Sequence, residues 1–409
     1  MLNLFFPKKT TVIVGLEIGT AKVAAVVGEV TDGGGVNVIG IGQCPSRGVR
    51  KGEVVNAEHA AEDVRNAIVE AEKSADVEIA SVYLGVTGGH LTSLNTHGVF
   101  TSVSLDHEIS QQDVNEVLAN AKVFNRPSEN YVLHSVRQHF TVNGQAGIVD
   151  PIGMLGENLE VDMHVIHGVT TRLQNHMRVV AGLNLEVEQT VFSGLCSALA
   201  LLDNEQKHIG ALVVDIGAGT TEYVIYAEGV IKHTGVIAVG GDHVTNDLSY
   251  GLRMAPARAA LLMREHGAAT LDGVVDQTLT LTSENGFPDR RVDLHDLRRI
   301  MVARLEETFQ LIDSEIGELG FHDQLRAGVC LCGGGARIRG IEKLAENVFG
   351  LPATLGRANA VGGLRSASDD PELATAVGLV KYGAMRQKGN QSTGLVGKIK
   401  GFAGSLGLF

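Results

Sequence analysis

Two short segments carry the residue types that chemistry on a phosphate needs. The first is Glu17-Ile-Gly19-Thr20-Ala21-Lys22, after the apolar run 11–16. The second is Asp215-Ile-Gly217-Ala218-Gly219-Thr220-Thr221, after the apolar run 211–214. In each, an acid closes a Val-rich strand, one apolar residue follows, and a glycine opens a bend into a second apolar strand. A glycine bend lets backbone N–H groups approach a phosphate, because no Cβ stands in the way. The Thr20 and Thr220 hydroxyls add donors, and Lys22 brings a point charge within reach of a β- or γ-phosphate. Asp215, at the end of a buried strand, is costly to leave unpaired, and a hydrated Mg²⁺ carried in with a nucleotide would partner it through water. A third cluster, Cys332-Gly333-Gly334-Gly335-Ala336-Arg337, ends another apolar strand and is expected to open a helix. Such a junction suits a base or an α-phosphate. The chain has no GKT-type Walker loop, so a P-loop is excluded.

Positioning these bends requires two similar halves. A third strand is expected after each hairpin, around 38–41 and around 236–239. Apolar residues at three- and four-residue spacing predict helices over 57–74, 171–182, 194–202, 294–319 and 341–348. Strands followed by helices, written twice, predict a two-lobed α/β protein with the acid-x-Gly bends facing across a cleft. The length, 409 residues, suffices for two lobes with proper cores. With 44% hydrophobic and 20% charged residues the chain is globular, not disordered. A net charge of -13 without a dense basic block argues against nucleic acid as a partner. Cys44, Cys196, Cys330 and Cys332 form no CxxC pair, so neither a zinc site nor a disulfide framework is expected. His164 and His167 stand three apart on a predicted strand, on opposite faces, and cannot chelate together. No run of 18 apolar residues occurs, and Met1–Lys9 places its apolar residues before its basic ones, the reverse of a secretory signal. The chain is therefore expected inside the cell.

The three glycine clusters, in this order, resemble the two phosphate loops and the adenosine loop of the actin, Hsp70 and sugar-kinase superfamily. Within it the chain resembles the FtsA family of bacterial division proteins over nearly its full length. LEIGTAKV, SVYLGVTGGH, VLHSVRQHF with IVDPIGMLG, VVDIGAGTTEYVIY, VIAVGGDHVTNDLSYG, LCGGGARIRGIEKLA and ATAVGLVKYG carry the likeness. The part at 131–156 is similar to an inserted subdomain, 1C, that sugar kinases, Hsp70 and MreB-type filaments lack. The resemblance implies a duplicated RNase H-like, actin-like fold with 1C in place of actin subdomain 1B. Subdomain 1A would take 8–84, 164–205 and 361–385, and 1C would take 85–163. Subdomain 2A would take 206–228 and 300–360, and 2B would take 229–299. ATP with Mg would lie between the lobes. Gly19, Thr20, Ala21 and Lys22 would face its phosphates from one side. Asp215, Gly217, Ala218, Gly219 and Thr220 would face them from the other, with Gly240 and Gly241 adjoining. Gly333, Gly334, Gly335 and Arg337 would border the adenosine.

The resemblance also implies a role. The protein would polymerise, tether the tubulin-like FtsZ ring to the cytoplasmic face of the inner membrane, and help recruit later division proteins through 1C. The C-terminal peptide of FtsZ would dock near the 2B–2A junction, with Arg298, Arg299 and Arg304 as candidates for its carboxylates. Members that hydrolyse ATP well place a Glu or Gln on the helix before the second phosphate loop. Here that helix begins Ser193-Gly-Leu-Cys and contains neither, so turnover is expected to be weak or absent. The alternatives are a pilus-type actin-like scaffold and a small-molecule kinase of the superfamily. The kinase would need an acid near the γ-phosphate, and the sequence suggests only Glu17 and Asp215.

The last residues read differently. RQKGNQSTG, 386–394, holds no large apolar side chain and is expected to be a flexible linker. Beyond it Leu395, Ile399, Phe402, Leu406 and Phe409 are spaced 4, 3, 4 and 3, one stripe of a helix, with Lys398 and Lys400 off the stripe. A basic, apolar stripe ending an acidic protein predicts an amphipathic membrane anchor over 395–409. Its glycines should keep it unfolded until it meets lipid.

Overall fold

The computed structural model describes residues 11–31, 35–101, 107–273, 277–281 and 290–392. The chain opens with a meander of Val-rich strands, β1 (Val12–Ile18), β2 (Lys22–Val30) and β3 (Val36–Pro45). Ile18 pairs with Val23 across the first bend. Two short strands, β4 (Val49–Arg50) and β5 (Glu53–Val54), lead into α1 (Ala57–Ala75). Asn56 caps that helix by accepting from the His59 N–H, and Asp76 ends it in the left-handed region. The chain then enters β6 (Ser81–Val86), parallel to β1.

An insertion follows, made of β7 (Leu91–Thr101), α2 (Gln111–Ala121), β8 (Asn130–Val142), β9 (Gln145–Ile148) and β10 (Asn158–Val169). Its strands form a separate sheet in the order β7-β10-β8-β9, with α2 over a core around Phe140, Leu159 and Met163. The first lobe resumes with α3 (Thr170–Ala181), β11 (Glu186–Phe192), α4 (Ser193–Leu201) and α5 (Asn204–Ile209).

The second lobe repeats the meander with β12 (Ala211–Ile216), β13 (Thr221–Ala227) and β14 (Val230–Ile237). After α6 (Gly241–Gly251), α7 (Pro256–His266), the ribbon β15 (Thr278–Leu281) with β16 (Arg290–Asp293), and the long α8 (Leu294–Glu318), the chain returns in β17 (Val329–Cys332). Then come α9 (Ile341–Phe349), β18 (Ala353–Leu355), β19 (Val361–Gly363), α10 (Arg365–Asp369) and α11 (Ala374–Ser392).

The duplication shows in the strand order. The first sheet runs β11-β6-β1-β2-β3-β19 and the second β14-β13-β12-β17-β18. Each has an antiparallel meander whose first strand is followed, on its other side, by two parallel strands in succession, β6 then β11 or β17 then β18. Burial on both faces explains why β2 and β13 are apolar at successive residues, Val23–Val27 and Tyr223–Ala227. Helix α4, buried along its whole length, and α11 pack together between the sheets. Gly378 permits this: a Cβ there would stand 2.9 Å from the Cys196 Cα and closer still to the Cys196 carbonyl.

All five helices expected from periodicity form, with ends within one residue of those predicted. Three expectations need correction. The third strand of the second half is β14, ending at Ile237 rather than spanning 236–239. The Gly333–Gly335 run opens a 3₁₀ turn, Gly334–Arg337, and not a helix. The left-handed backbone at Gly333 (φ 80°) and Gly340 (φ 83°) delays α9 to Ile341. The stretch read as a linker, 386–394, is helical as far as Ser392. Its Arg386, Gln387 and Lys388 are good helix formers, and their polarity marks the edge of the core, not irregular backbone. The anchor residues Leu395, Lys398, Ile399, Lys400, Phe402, Leu406 and Phe409 lie outside the described residues. No described helix is long and apolar enough to cross a membrane.

Candidate functional site

The two bends face one another at the ends of β1 and β12. Each is closed by the same bond. Gly19 N–H donates to Lys22 O at 2.9 Å, and Gly217 N–H donates to Thr220 O at 2.9 Å. Gly219 lies directly against the first lobe, where a Cβ would sit 2.7 Å from the Lys51 Cα and against Thr20 Oγ1. Thr20 Oγ1 accepts the Gly52 N–H at 2.9 Å, and Thr220 Oγ1 lies 3.4 Å from Thr87 Oγ1 beyond the end of β6. Gly240 and Gly241 seat the start of α6 on the second bend: Gly241 N–H donates to Gly217 O at 3.0 Å and Asp242 N–H to Ala218 O at 2.8 Å. Only a residue without a side chain fits at 240, where a Cβ would meet Ala218 O at 2.6 Å.

The third cluster joins the same place through the segment 370–372, which the sequence did not single out. Gly333 N–H donates to Pro371 O at 2.9 Å. Arg337 bridges Asp370 at 2.5 Å and Glu372 at 3.1 Å. Lys22 Nζ donates to the Glu372 carbonyl and stands 3.9 Å from Glu17 Oε2. The two cations expected to face a ligand are thus both gathered by Glu372.

Three carboxylates meet beneath the bends, one more than the sequence suggested. Asp215 Oδ2 accepts from Ser197 Oγ at 2.6 Å and from Thr375 Oγ1 at 3.1 Å. Glu222, opposite Asp215 in the β12–β13 register, is 5% exposed. Burial first, then the charges of Asp215 and Glu17, hold its carboxyl well above the usual range. Burial likewise pushes Glu17 up to about 7; Lys22 opposes this, while Asp215 and Glu372 add to it. Glu17 Oε2 and Glu222 Oε2 are buried with no hydrogen-bond partner. The signal for Glu222 was available, since it is a charged residue inside the wholly buried strand TEYVIYA.

This donor set fits a cation that arrives with phosphates. Buried oxygens of Glu17 and Glu222 lack partners, and glycines at 219, 240 and 333 let Thr20, the Ala218 backbone and the Asp215 carboxylate crowd together where a Cβ would not fit. Among the described residues no group of three His, Cys, Asp or Glu side chains is arranged to hold a metal, so an ion here would keep its own water or ligand oxygens. His164 is bonded to Asn95 at 2.7 Å and Thr234 at 2.9 Å, and His167 to Asn130 at 2.9 Å.

The arginine trio separates. Arg298 is 6% exposed, and its guanidinium donates to the His266 and Asp272 carbonyls at 3.3 Å each. It is not presented to a partner, which corrects the expectation. The reason is helical phase: Leu294, Leu297, Met301 and Leu305 bury the α8 face on which Arg298 also lies. Arg299 is exposed and paired with Asp296 at 3.1 Å. Arg304 bonds Asp247 at 2.5 Å and also pairs with Glu307.

Residues 212–378 match the family model described as "Cell division protein FtsA", and 88–167 match "SHS2 domain inserted in FTSA". The cell division protein FtsA of Pseudomonas aeruginosa is 37% identical over 387 residues, covering 94% of this chain and 92% of its own. That of Escherichia coli is 37% identical over 380 residues, covering 91% and 90%. The chain belongs to the FtsA family. The matched SHS2 range takes in the β7–β10 sheet, which is the inserted domain. Two solved structures share the fold. A chain of the PilM-PilN type IV pilus biogenesis complex gives a TM-score of 0.64 at 16% identity, covering 91% of this chain and 98% of that one. MreB5 of Spiroplasma citri, solved bound to ADP, gives 0.55 at 16% identity, covering 94% and 99%. The FtsA-family chain thus has the two-lobed actin-like fold that its strand order indicates. Its likeness to the pilus protein is one of fold alone.

Proposed function

We propose that this FtsA-family protein binds ATP with Mg between its lobes and, as a polymer, tethers FtsZ filaments to the cytoplasmic face of the inner membrane at the division site. The convergence of both glycine bends on three carboxylates, Glu222 buried and Glu17 and Asp215 half-buried, two of them with a buried unpartnered oxygen, carries the nucleotide reading. When bound, Mg would offset the charge of the phosphates, and Asp215 would hold it through water. Backbone N–H groups at 20, 21, 218 and 219, the ones not spent on closing the bends, would cradle the phosphates, and Lys22 would leave the Glu372 carbonyl to meet them. Gly333, Gly334, Gly335 and Arg337 border the adenosine. Turnover is slow, below ~1 s⁻¹, because α4 offers Ser193 and no Glu or Gln to orient a water.

The remaining parts follow the same reading. The inserted sheet serves as subdomain 1C and contacts a neighbouring subunit or later division proteins. Arg299 and Arg304 meet the FtsZ peptide, and 395–409 enters the lipid interface. Calorimetry with MgATP on the full chain tests the cleft: Asp215→Ala and Lys22→Ala should each weaken affinity about tenfold or more while melting stays cooperative. Unchanged affinity in both removes the phosphate site. Sedimentation with anionic vesicles tests the anchor, where Phe402→Glu should release the chain without lowering its melting temperature.

A further inference from the structure

We infer that Ser197 and Thr375 are positioning residues that lock Asp215, so that Mg²⁺-linked nucleotide affinity depends on two hydroxyls outside the glycine bends. The inference rests on the nucleotide reading above. Three elements meet at this point. Asp215 is the next-to-last residue of β12, Ser197 lies one turn into α4, and Thr375 is in the first turn of α11. Both hydroxyls are buried, with Ser197 fully so and Thr375 4% exposed. Ser197 Oγ lies 2.6 Å and Thr375 Oγ1 3.1 Å from the same oxygen, Oδ2, and the hydroxyls are 2.9 Å apart.

The protons can be counted. Each hydroxyl has one, and the acceptors are Asp215 Oδ2, the other hydroxyl and, for Ser197, the Ser193 carbonyl at 3.3 Å and the Cys332 sulfur, whose thiol is itself a weak donor to Asp215. The shortest contact makes Ser197 a donor to Oδ2. Thr375 then donates either to Oδ2 directly or to Ser197 Oγ, which passes the polarisation on. Either way Oδ2 is held from behind by donors. Oδ1 is on the Gly333 side, where a Cβ at 333 would collide with it. The carboxylate is thereby fixed with one oxygen committed to the protein and one directed toward the third glycine cluster. A water-mediated contact to a cation needs that fixity, since Mg²⁺ demands near-ideal octahedral geometry. Close α4–α11 packing at Gly378, one turn beyond Thr375, brings the second hydroxyl within reach.

The test uses the full chain with Thr375→Val, Ser197→Ala, the double variant and Thr375→Ser. Calorimetry measures ATP affinity with Mg²⁺ and with EDTA. The expected result is that the Mg²⁺-linked gain in affinity falls about tenfold in the double variant and less in each single one. Affinity in EDTA should be unchanged, and Thr375→Ser should behave as the parent chain. A Mg²⁺-linked gain that survives in the double variant overturns the inference. So does an equal loss with and without Mg²⁺, which marks a packing role only. Should the parent chain itself bind no ATP, the nucleotide reading fails first. Melting with Mg²⁺ alone and with EDTA then decides the clamp by itself: a Mg²⁺-linked rise in the parent chain's melting temperature that the double variant loses supports it, and an unchanged rise in the double variant, or none in the parent, overturns it.

Discussion

Glu17 and Asp215 occupy equivalent places in the two hairpins, and their bends close through equal 2.9 Å bonds at Gly19 and Gly217. Their surroundings differ. Asp215 is gripped by two hydroxyls on one oxygen. Glu17 has a buried oxygen without a partner, a lysine 3.9 Å away that is bound elsewhere, and a carboxyl pushed up to about 7. Repeating a backbone therefore does not repeat its electrostatics. The second bend comes with its acid already oriented, whereas the first holds a proton-prone acid whose charge is satisfied only when more positive charge enters the cleft.

The largest expected effect sets the two acids against each other. Asp215→Ala removes the acceptor that Ser197 and Thr375 share and leaves them only each other and the Ser193 carbonyl at 3.3 Å, a loss of hydrogen bonds to a carboxylate at about 1.5–3 kcal/mol each. Glu17→Ala strands no hydroxyl and should cost less. Urea midpoints should therefore place Asp215→Ala at least ~1 kcal/mol below Glu17→Ala, and the reverse order breaks the comparison. Next in size is Gly219→Val, which drives a side chain into the Lys51 backbone from the opposite lobe. Overpacking of this kind costs about 1–3 kcal/mol. It should also weaken MgATP binding, because the lobes can no longer close on one another, and calorimetry with unchanged affinity would argue that the bends are not in contact when loaded.

A smaller effect is in pH. Folded Glu17 holds its proton up to about 7, against an ordinary value of 4.5. Its contribution to stability is thus full below pH 4.5 and is lost as pH rises through 7. Glu17→Gln removes that loss and should make the chain more stable than the parent at pH 8, by about 1–2 kcal/mol given partial exposure of the side chain. Below pH 4.5 the two should converge. His134 and His164, held near 4 and near 3 by burial, slope the other way in both chains, so the difference between variant and parent isolates Glu17. Equal stabilities at pH 8 would show that Glu17 is already satisfied.

The hairpins, the duplicated order and the long helices were legible because each rests on local pattern: Val-rich runs into Gly, and apolar spacing of three and four. The partners that distinguish the two acids were not. Lys22 meets the Glu372 carbonyl from 350 positions away, and Thr375 reaches Asp215 from 160 away. Such contacts depend on the chain returning from β19 into α11 across both lobes, which no window of sequence records. Two misses were readable. Glu222 is a lone charge in a buried strand, and Arg298 shares the helical phase of Leu294, Leu297 and Met301. The linker at 386–394 was misread because lack of apolar residues was taken for lack of helix.

The smallest effect sharpens the comparison by testing what the bends share. Gly19→Ala puts a Cβ 2.9 Å from Lys22 O, and Gly217→Ala puts one 2.9 Å from Thr220 O. Neither glycine has a left-handed φ, so the cost is the contact alone. Each variant should lose about 1–2 kcal/mol, and the two should agree within ~0.5 kcal/mol, the usual scatter for independent sites. Any excess should fall on Gly217. Its carbonyl also accepts the Gly241 N–H, and the next residue accepts Asp242 N–H, so the second bend is tied to α6 and has less freedom to relax. The first bend is tied to loop segments and to no helix start, through Ala21 O, which accepts the Ser46 N–H at 3.0 Å, and Thr20 Oγ1, which accepts the Gly52 N–H at 2.9 Å. Urea unfolding of both variants measures the difference directly. A larger loss at Gly19 would mean that the unheld acid beside it, not the repeated backbone, sets the rigidity of that bend.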